Sequence, residues 1–286
     1  KLMEEIAELK VELDRGNHDL AEEELGDLLF ATINVARMNG LSPDNALERT
    51  NQKFIRRFNY VEESAITQGR NLKEMTLEEK IGQMTQITST AIANGLEITP
   101  AGDSIIRTYK VGSILNTPGG IAQTPEGYDK FVQEINRITL EATGTPTLYG
   151  LDHIHGTSYV LGGTLFPQEI NLAASFNRTH AYNMGMVTAY ESRAANVPWT
   201  FSPTMDLGRN PEWPRMWESF GEDTYVNAQM AVAEVRGMQG EDPNHVGPYH
   251  IAACAKHFMG YGVPVTGQDR TPASIAASEL REKHFE

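Results

Sequence analysis

The stretch that decides the fold is PTLYGLDHIHG, residues 146–156. A short apolar run leads directly into Asp152, His153 and His155, and a flexible Gly156 follows. In α/β proteins, ionisable side chains at the C-terminal end of a strand line the active site. Asp and His are also common wherever a strand turns into a loop, so an ordinary loop is the alternative for this stretch alone.

The composition excludes several classes of function. The 286 residues carry a formal net charge of −14 without a basic cluster, so we expect no nucleic-acid partner. A single cysteine, Cys254, excludes an internal disulfide. The sequence shows neither an apolar run of membrane-spanning length nor a signal peptide. We therefore expect no membrane partner and, by default, a cytoplasmic location.

The chain changes character near Met75, which predicts two domains. Residues 1–75 contain a single proline, Pro43, no tryptophan, and apolar residues at helical spacing. They predict helices that end near Gly16, Gly40 and residue 68, with too little core to stand without another copy or further helices. Residues 76–286 alternate strands, loops and helices. Because no flexible linker separates the parts, the join resembles a fusion of two unrelated sequences, whether natural, artefactual or designed.

The larger part has the pattern of a parallel α/β fold. Predicted strands cover residues 111–115, 147–151, 197–203 and 251–255, and predicted helices cover 125–143, 166–174, 179–195 and 223–239. These strands are too few to close a barrel of eight. The predicted fold class is therefore α/β, an incomplete (β/α)8 TIM-type barrel preceded by an all-α helical segment.

Charged side chains follow three of the predicted strands. They are Asp152, then Arg209 and Arg215, then Lys256 and His257. In a parallel sheet these strand ends face one rim, where an acid, a guanidinium, an ammonium and an imidazole can bond several neighbouring sugar hydroxyls. A lysine directly after a buried run is costly unless it is paired, and a purely structural pair is the alternative. The pattern predicts a saccharide site.

Four segments together resemble the N-terminal barrel of glycoside hydrolase family 3, typified by β-glucosidases. They are YGLDHIHG, TLFPQEINLAASFN, FSPTMDLGRNPEWPRMWESFGEDTY and ACAKHFMGYG, and the resemblance covers about residues 76–286. It implies that the full-length parent hydrolyses terminal non-reducing β-glucosyl units with retention and without a cofactor. It also implies that Asp152, Arg215, Lys256 and His257 grip the glucosyl unit.

The same resemblance concerns the catalytic residues. The family's nucleophile is an Asp on a later strand, and its acid/base is a Glu in or beyond a second domain, so we expect both downstream of Glu286. A retaining glycosidase needs two carboxylates about 5 Å apart. We therefore assign no catalytic residue and expect the chain as given to be inactive as a glycosidase. An inert or merely sugar-binding fragment is the alternative.

The helical part carries two pairs of carboxylates, Glu5 with Glu8 and Glu24 with Asp27. A spacing of three places both members of a pair on one helix face, and antiparallel packing can bring the two pairs together. Four converging carboxylates repel one another unless a hard cation such as Mg²⁺ lies between them. An ordinary solvated acidic face is the alternative.

Three segments of this part resemble the MazG type of nucleoside triphosphate pyrophosphohydrolase, an all-α, dimeric, Mg²⁺-dependent family. They are EEIAELK, EEELGDLLFATINVAR and NQKFIRRF. The resemblance implies that the four carboxylates bind Mg²⁺ and that Lys53, Arg56 and Arg57 approach the phosphates of a nucleoside triphosphate. It also implies a homodimer through the helical segment. The family's first helix has no counterpart here.

A third interpretation uses His153 and His155. Two histidines alternating at a strand end resemble the first ligands of a metal-dependent amidohydrolase. The residues around them match the glycosidase segment and not that family, so we rank this interpretation last.

Overall fold

The computed structural model describes residues 2–40, 42–45, 48 and 75–285. The chain divides into two compact units, Lys1–Met75 and Thr76–Glu286. Within the described ranges, every helix is too short or too polar to cross a membrane.

The smaller unit contains an antiparallel pair of helices. Helix α1 spans Leu2–Arg15 and helix α2 spans His18–Met38. The chain reverses at Gly16, whose positive φ of 69° suits a residue without a Cβ atom. Large side chains such as Phe30 remain exposed on the described part of this unit. The helical periodicity therefore predicts the elements, while little core forms among the described residues.

The described residues include the start of the predicted third helix. Ser42 Oγ accepts a hydrogen bond from Asn45 N at 3.3 Å, which is the contact of an N-cap residue. Most of this predicted helix lies outside the described residues, including Lys53, Arg56 and Arg57.

The larger unit alternates helices and strands. Its first helix starts with a capping box, in which Thr76 Oγ1 accepts from Glu79 N and Glu79 Oε2 accepts from Thr76 N. The elements are α3 (Leu77–Gln83), β1 (Gln86–Thr88), β2 (Ala93–Asn94), β3 (Glu97–Ile98), α4 (Pro100–Tyr109), β4 (Ser113–Leu115), α5 (Pro125–Thr143), β5 (Leu148–Leu151), α6 (Glu169–Ala174), α7 (Arg178–Ala194), β6 (Trp199–Thr200), α8 (Thr224–Gln239) and α9 (Ala277–Glu279).

The main sheet is parallel, with the strand order β1-β4-β5-β6. Ile114 pairs with Ile87 on one side and with Tyr149 on the other. Strands β2 and β3 form a separate antiparallel pair. Since neighbouring strands run in the same direction, their C-terminal ends share one edge of the sheet, which places the loops after β5 and β6 close together.

The prediction of a regular strand at residues 251–255 is wrong. The segment instead follows β6 through two isolated parallel bridges, Trp199 with Ala252 and Thr204 with Lys256. Pro198 and Pro203 interrupt the ladder because proline has no N–H to donate. Their carbonyls still accept, from Ala252 N at 2.9 Å and from Lys256 N at 3.1 Å. The segment therefore extends the sheet order without regular pairing.

Two of the apolar clusters in the larger unit are extensive. One fills the space between the sheet and helices α4 and α5, and includes the fully buried Ile114, Ile135 and Tyr149. The other lies around α7 and α8, which approach closely at two glycines. A Cβ atom on Gly237 would come within 2.1 Å of the Tyr182 carbonyl oxygen, and one on Gly185 within 2.3 Å of the Glu234 carbonyl oxygen. These two helices therefore cross almost backbone to backbone.

Candidate active site

Asp152 and Lys256 meet at the C-terminal edge of the sheet. Asp152 follows β5 directly, and Lys256 ends the segment that bridges to Thr204. Lys256 Nζ donates to Asp152 Oδ1 at 2.6 Å. The side chain of Asp152 is 34 % exposed and that of Lys256 is 14 % exposed. The pair is therefore half-buried and still open to a ligand.

Arg215 and His257 form a second pair. Arg215 Nη1 lies 3.5 Å from His257 Nε2. Arg215 is held from behind by Glu218, which accepts from Nε at 2.8 Å and from Nη2 at 2.6 Å. This two-point ion pair raises the pKa of the Arg215 guanidinium, and Glu218 itself is buried. Glu218 therefore fixes Arg215, while Arg209 turns away and pairs with Glu279 at 3.1 Å.

Aromatic side chains pack beside the Arg215–His257 pair. The Tyr261 ring centre lies 4.6 Å from that of His257 and 5.4 Å from that of Trp213. Arg215 Cζ lies 5.6 Å from the same ring centre. Tyr261 Oη donates to Asp269, which also accepts from Trp213 Nε1 at 3.3 Å. The loop that carries Asp269 is thereby tied to the site.

Open space adjoins the Asp152–Lys256 pair on one side. A cleft of about 230 Å³ is lined by Asp152, Tyr159 and the polar side chains of Thr88, Thr90 and Asn116. Asn116 Nδ2 donates to Thr88 Oγ1 at 3.5 Å, and the Thr88 and Thr90 hydroxyls lie 3.2 Å apart. Hydroxyl and amide groups in a cleft of this size suit a neutral, hydroxyl-bearing ligand.

The helical unit holds a separate acidic cluster. Oxygen atoms of Glu5, Glu8 and Glu24 lie within 4.8 Å of one another. Asp27 is not a member of this trio. Partial burial, followed by the charges of Glu8 and Asp27, raises the pKa of Glu24. Closely spaced hard oxygen donors fit a divalent cation such as Mg²⁺, so the residues present fit the ion that the sequence resemblance implies.

Comparison with known proteins follows the division into units. Residues 76–286 match the model of the glycosyl hydrolase family 3 N-terminal domain. The chain belongs to glycosyl hydrolase family 3. Residues 1–62 match the model of the MazG nucleotide pyrophosphohydrolase domain. Both resemblances inferred from the sequence are therefore confirmed, and the larger unit is an α/β fold of the glycosidase type.

The family 3 relatives include β-glucosidases. A lysosomal β-glucosidase of Dictyostelium discoideum is 39% identical over 225 residues, which cover 73% of this chain and 27% of that protein. A periplasmic β-glucosidase of Salmonella typhimurium is 32% identical over 209 residues, which cover 73% of this chain and 25% of that protein. The chain thus spans about a quarter of the length of these relatives.

A solved structure of a family 3 enzyme has a similar fold. It is an exo-1,3/1,4-β-glucanase mutant from a Pseudoalteromonas species, with a TM-score of 0.67 and 31% sequence identity. The likeness covers 74% of this chain and 34% of that one.

The metal-hydrolase interpretation does not hold for this family 3 unit. His153 is fully buried, its Nδ1 lies 2.7 Å from Ser192 Oγ, and burial lowers its pKa to about 3. His155 Nδ1 lies 2.9 Å from the Phe166 carbonyl oxygen. Among the described residues, the grouping of three or more metal-binding side chains is the glutamate trio, which includes neither histidine. Both histidines serve the local structure.

Sequence reasoning missed three acidic residues of the family 3 unit. Asp206 binds His257, and Glu169 and Glu234 are fully buried near the site. Burial raises the pKa of Glu234 to about 8, and burial together with the neighbouring Glu234 carboxylate raises the pKa of Glu169. Spacing could have revealed Glu234, because it falls on the stripe of α8 that carries the buried Met230 and Met238.

Proposed function

We propose that residues 76–286 form part of a (β/α)8 barrel, left incomplete in this chain, and bind a terminal non-reducing β-glucosyl unit. In the full-length parent this unit would be removed by retaining hydrolysis. The carrying observation is the meeting of Asp152 with Lys256 at 2.6 Å beside the Arg215–His257 pair. The β-glucosidase names of two relatives support a glucosyl unit.

The chemistry of the two pairs supports a sugar ligand. A hydroxyl group both donates and accepts a hydrogen bond. Asp152 accepts and Lys256 donates, so one hydroxyl satisfies both. Arg215 donates as well, and the neighbouring His257 ring nitrogen offers a second contact. Adjacent hydroxyls of one pyranose ring therefore complement the site, and the exposed Trp217 adds an apolar surface nearby.

We further propose that this chain as given does not turn over a glycoside. Three carboxylates of the site already have partners: Asp152 binds Lys256, Asp206 binds His257, and Glu218 binds Arg215. A nucleophile must be free to bond to the sugar carbon, and a general acid must face the leaving oxygen. Carboxylates held by a cation or an imidazole suit the task of orienting, so Asp152 grips the sugar, while Asp206 and Glu218 hold His257 and Arg215 in place.

The test is glucose binding, monitored by ligand-observed NMR on the whole chain. We expect wild type to bind glucose and Asp152→Ala to lose at least tenfold in affinity, because Lys256 then lacks its partner. Asp103→Ala, which removes a surface ion pair with Arg107, is the matched control and should bind normally. A folded wild type that does not bind glucose would leave the inert-fragment interpretation for the family 3 unit. Release of nitrophenol from a nitrophenyl β-glucoside, abolished in Asp152→Ala, would contradict the proposed inactivity.

The glutamate trio favours a second function, Mg²⁺-dependent pyrophosphohydrolysis of a nucleoside triphosphate by a helical homodimer. The match to the MazG domain supports this proposal, as do the exposed apolar side chains of α1 and α2. Bound Mg²⁺ would polarise the phosphate chain, and Glu5, Glu8 and Glu24 would hold the ion. The sequence prediction that Asp27 is a further ligand remains a proposal.

Calorimetric titration with Mg²⁺ alone tests this second function at its first step. We expect one saturable site in wild type and a loss of at least tenfold in affinity in Glu24→Gln, because one charged ligand is removed. Glu22→Gln changes an exposed glutamate on the same helix and should leave the affinity unchanged. Equal losses in both variants would mean that the acidic surface attracts cations without a defined site.

A further inference from the structure

The carboxylate of Asp206 is the anchor of His257. Asp206 Oδ2 accepts two hydrogen bonds from this one residue, from the ring Nδ1 at 2.7 Å and from the main-chain N at 3.1 Å. The Asp206 side chain is fully buried. Asn227 Nδ2 donates to the Asp206 carbonyl oxygen at 3.3 Å, so the main chain of Asp206 is held too. The anchor is therefore buried, fixed and directed at one ring.

The partners on both sides of the ring select the same tautomer. A carboxylate only accepts, so the proton of the imidazole belongs on Nδ1. On the opposite side, His257 Nε2 lies 3.5 Å from Arg215 Nη1, and a guanidinium only donates. A proton on Nε2 would place two donors face to face. The neutral ring with Nδ1–H and a lone pair on Nε2 satisfies both neighbours.

We infer that Asp206 is a positioning residue, which holds His257 with Nε2 as a hydrogen-bond acceptor. Nε2 has one lone pair, and its contact with Arg215 Nη1 is long at 3.5 Å, so a sugar hydroxyl takes the place of Arg215 on Nε2 when the sugar binds. This inference deepens the proposed function and rests on it. Arg215 and His257 then act as one donor and one acceptor, as Lys256 and Asp152 do. In each pair, one member donates a hydrogen bond to a sugar hydroxyl and the other accepts one from it. The preferred ligand is therefore a neutral sugar with two free hydroxyls on neighbouring carbons.

Ring orientation depends on the same contacts. The Tyr261 ring packs against His257 at 4.6 Å between centres and at an angle of 59°, but ring packing alone does not distinguish one imidazole nitrogen from the other. Asp206 supplies that distinction, because it bonds to one nitrogen and to the adjacent main-chain N–H at once. Without it, only Arg215 opposes a proton on Nε2, across the longer distance of 3.5 Å, so the Nε2–H tautomer becomes more accessible.

The decisive measurement is the tautomer of His257 in the whole, ¹⁵N-labelled chain, obtained from long-range ¹H–¹⁵N correlation spectra. The signals that disappear in His257→Gln identify this ring. We expect the Nδ1–H pattern in wild type and a shift toward the Nε2–H pattern in Asp206→Ala. Asp206→Asn keeps an oxygen acceptor and should restore the Nδ1–H pattern in part, which a purely structural role would not do.

Asp223→Ala is the control for lost stability. Asp223 caps helix α8 by accepting from Val226 N at 2.8 Å, and loss of such a cap destabilises the fold. The control should therefore be less stable while its His257 tautomer stays unchanged. An Nε2–H pattern in wild type, or an unchanged pattern in a folded Asp206→Ala, would overturn the inference.

Glucose titration separates this inference from the proposed function. If wild type binds glucose, Asp206→Ala should bind at least tenfold more weakly, and Asp206→Asn should fall between the two. A changed tautomer with unchanged glucose affinity would overturn the role of Asp206 toward the sugar. If wild type binds no glucose, the proposed function and the sugar-facing role fail together, whereas the tautomer measurement still decides whether Asp206 sets the state of His257.

Discussion

At the scale of single residues, the buried acid Glu234 has an unusual protonation state. Glu234 is fully buried, and Ser202 Oγ donates to one of its carboxylate oxygens at 2.9 Å. Its other oxygen is buried without a hydrogen-bond partner among the described residues. Since burial disfavours the charged form, the pKa of Glu234 rises to about 8. Glu234 therefore keeps its proton in the folded state at pH values where the unfolded chain has lost it.

The raised pKa of Glu234 makes stability depend on pH. Above the unfolded pKa of 4.5 and below about 8, the folded state holds a proton that the unfolded state has released. This group then lowers the free energy of unfolding as pH rises, by up to about 1.4 kcal/mol per pH unit. We expect Glu234→Gln to match wild type in thermal melts near pH 4.5 and to exceed it increasingly up to pH 8, with a constant difference beyond.

A surface acid provides the comparison. Glu134→Gln removes a carboxylate whose pKa is lowered by its hydrogen bonds to Arg137, so it should not gain stability as pH rises. Parallel melting curves for wild type and Glu234→Gln across this pH range would refute the assignment of a buried, protonated Glu234.

The residues of the proposed sugar site were predictable only in part. Asp152, Lys256 and His257 stand directly after apolar runs, and parallel strands bring such positions to one edge. Asp206 lies beyond the predicted strand 197–203 but not directly after an apolar run, and its carboxylate binds the ring of His257, 51 positions away. Residue spacing carries no information about such a contact, because it depends on how adjacent loops fold over the sheet. The side to which Arg209 turns was unpredictable for the same reason.

Among the elements, the close crossing of α7 and α8 is the most sensitive to substitution. At an open helical site, Gly→Ala stabilises a helix by up to about 1 kcal/mol. At Gly237, however, the new methyl group would lie 2.1 Å from the Tyr182 carbonyl oxygen. We therefore expect Gly237→Ala to lower the free energy of unfolding by about 1–3 kcal/mol, measured by urea denaturation.

Val232→Ala is the control for the same helix. Val232 is 49% exposed, so its truncation should cost less than about 1 kcal/mol. A Gly237→Ala chain as stable as wild type would show that the helices can move apart at no cost.

Helices were easier to predict than strands, and particular caps explain why. Helix α5 spans the predicted residues 125–143 because Thr124 caps its start by accepting from Gly127 N and Gly144 ends it with a φ of 65°. These signals are local. The pairing of residues 251–255 depends on the neighbouring segment, in which Pro198 and Pro203 have no N–H to donate. The apolar run alone therefore predicted a more regular strand than the one that forms.

At the scale of the whole molecule, the described parts of the two units differ in how much core they bury. The described part of the helical unit buries Ala21 and Ala31 as its apolar residues, whereas the larger unit buries two extended clusters. We expect calorimetry to show a weaker transition for the helical unit and a stronger one for the family 3 unit. Mg²⁺ at one hundred times its Kd should raise the free energy of unfolding of the helical unit alone, by about 2.7 kcal/mol.

Glu24→Gln checks this expectation. The variant should lose the response of the weaker transition to Mg²⁺ and keep the stronger transition unchanged. A shift of both transitions with Mg²⁺ would show that the ion binds outside the glutamate trio.

The order β1-β4-β5-β6 places each strand of the main sheet beside the one made just before it. During translation the sheet can therefore grow by one strand at a time, because each new strand pairs with one that has already been synthesised. Lys256, however, emerges 104 residues after Asp152, which at about 5–20 residues per second means a delay of roughly 5–20 s. During synthesis, the nascent protein acquires its scaffold first and its grip on a ligand last.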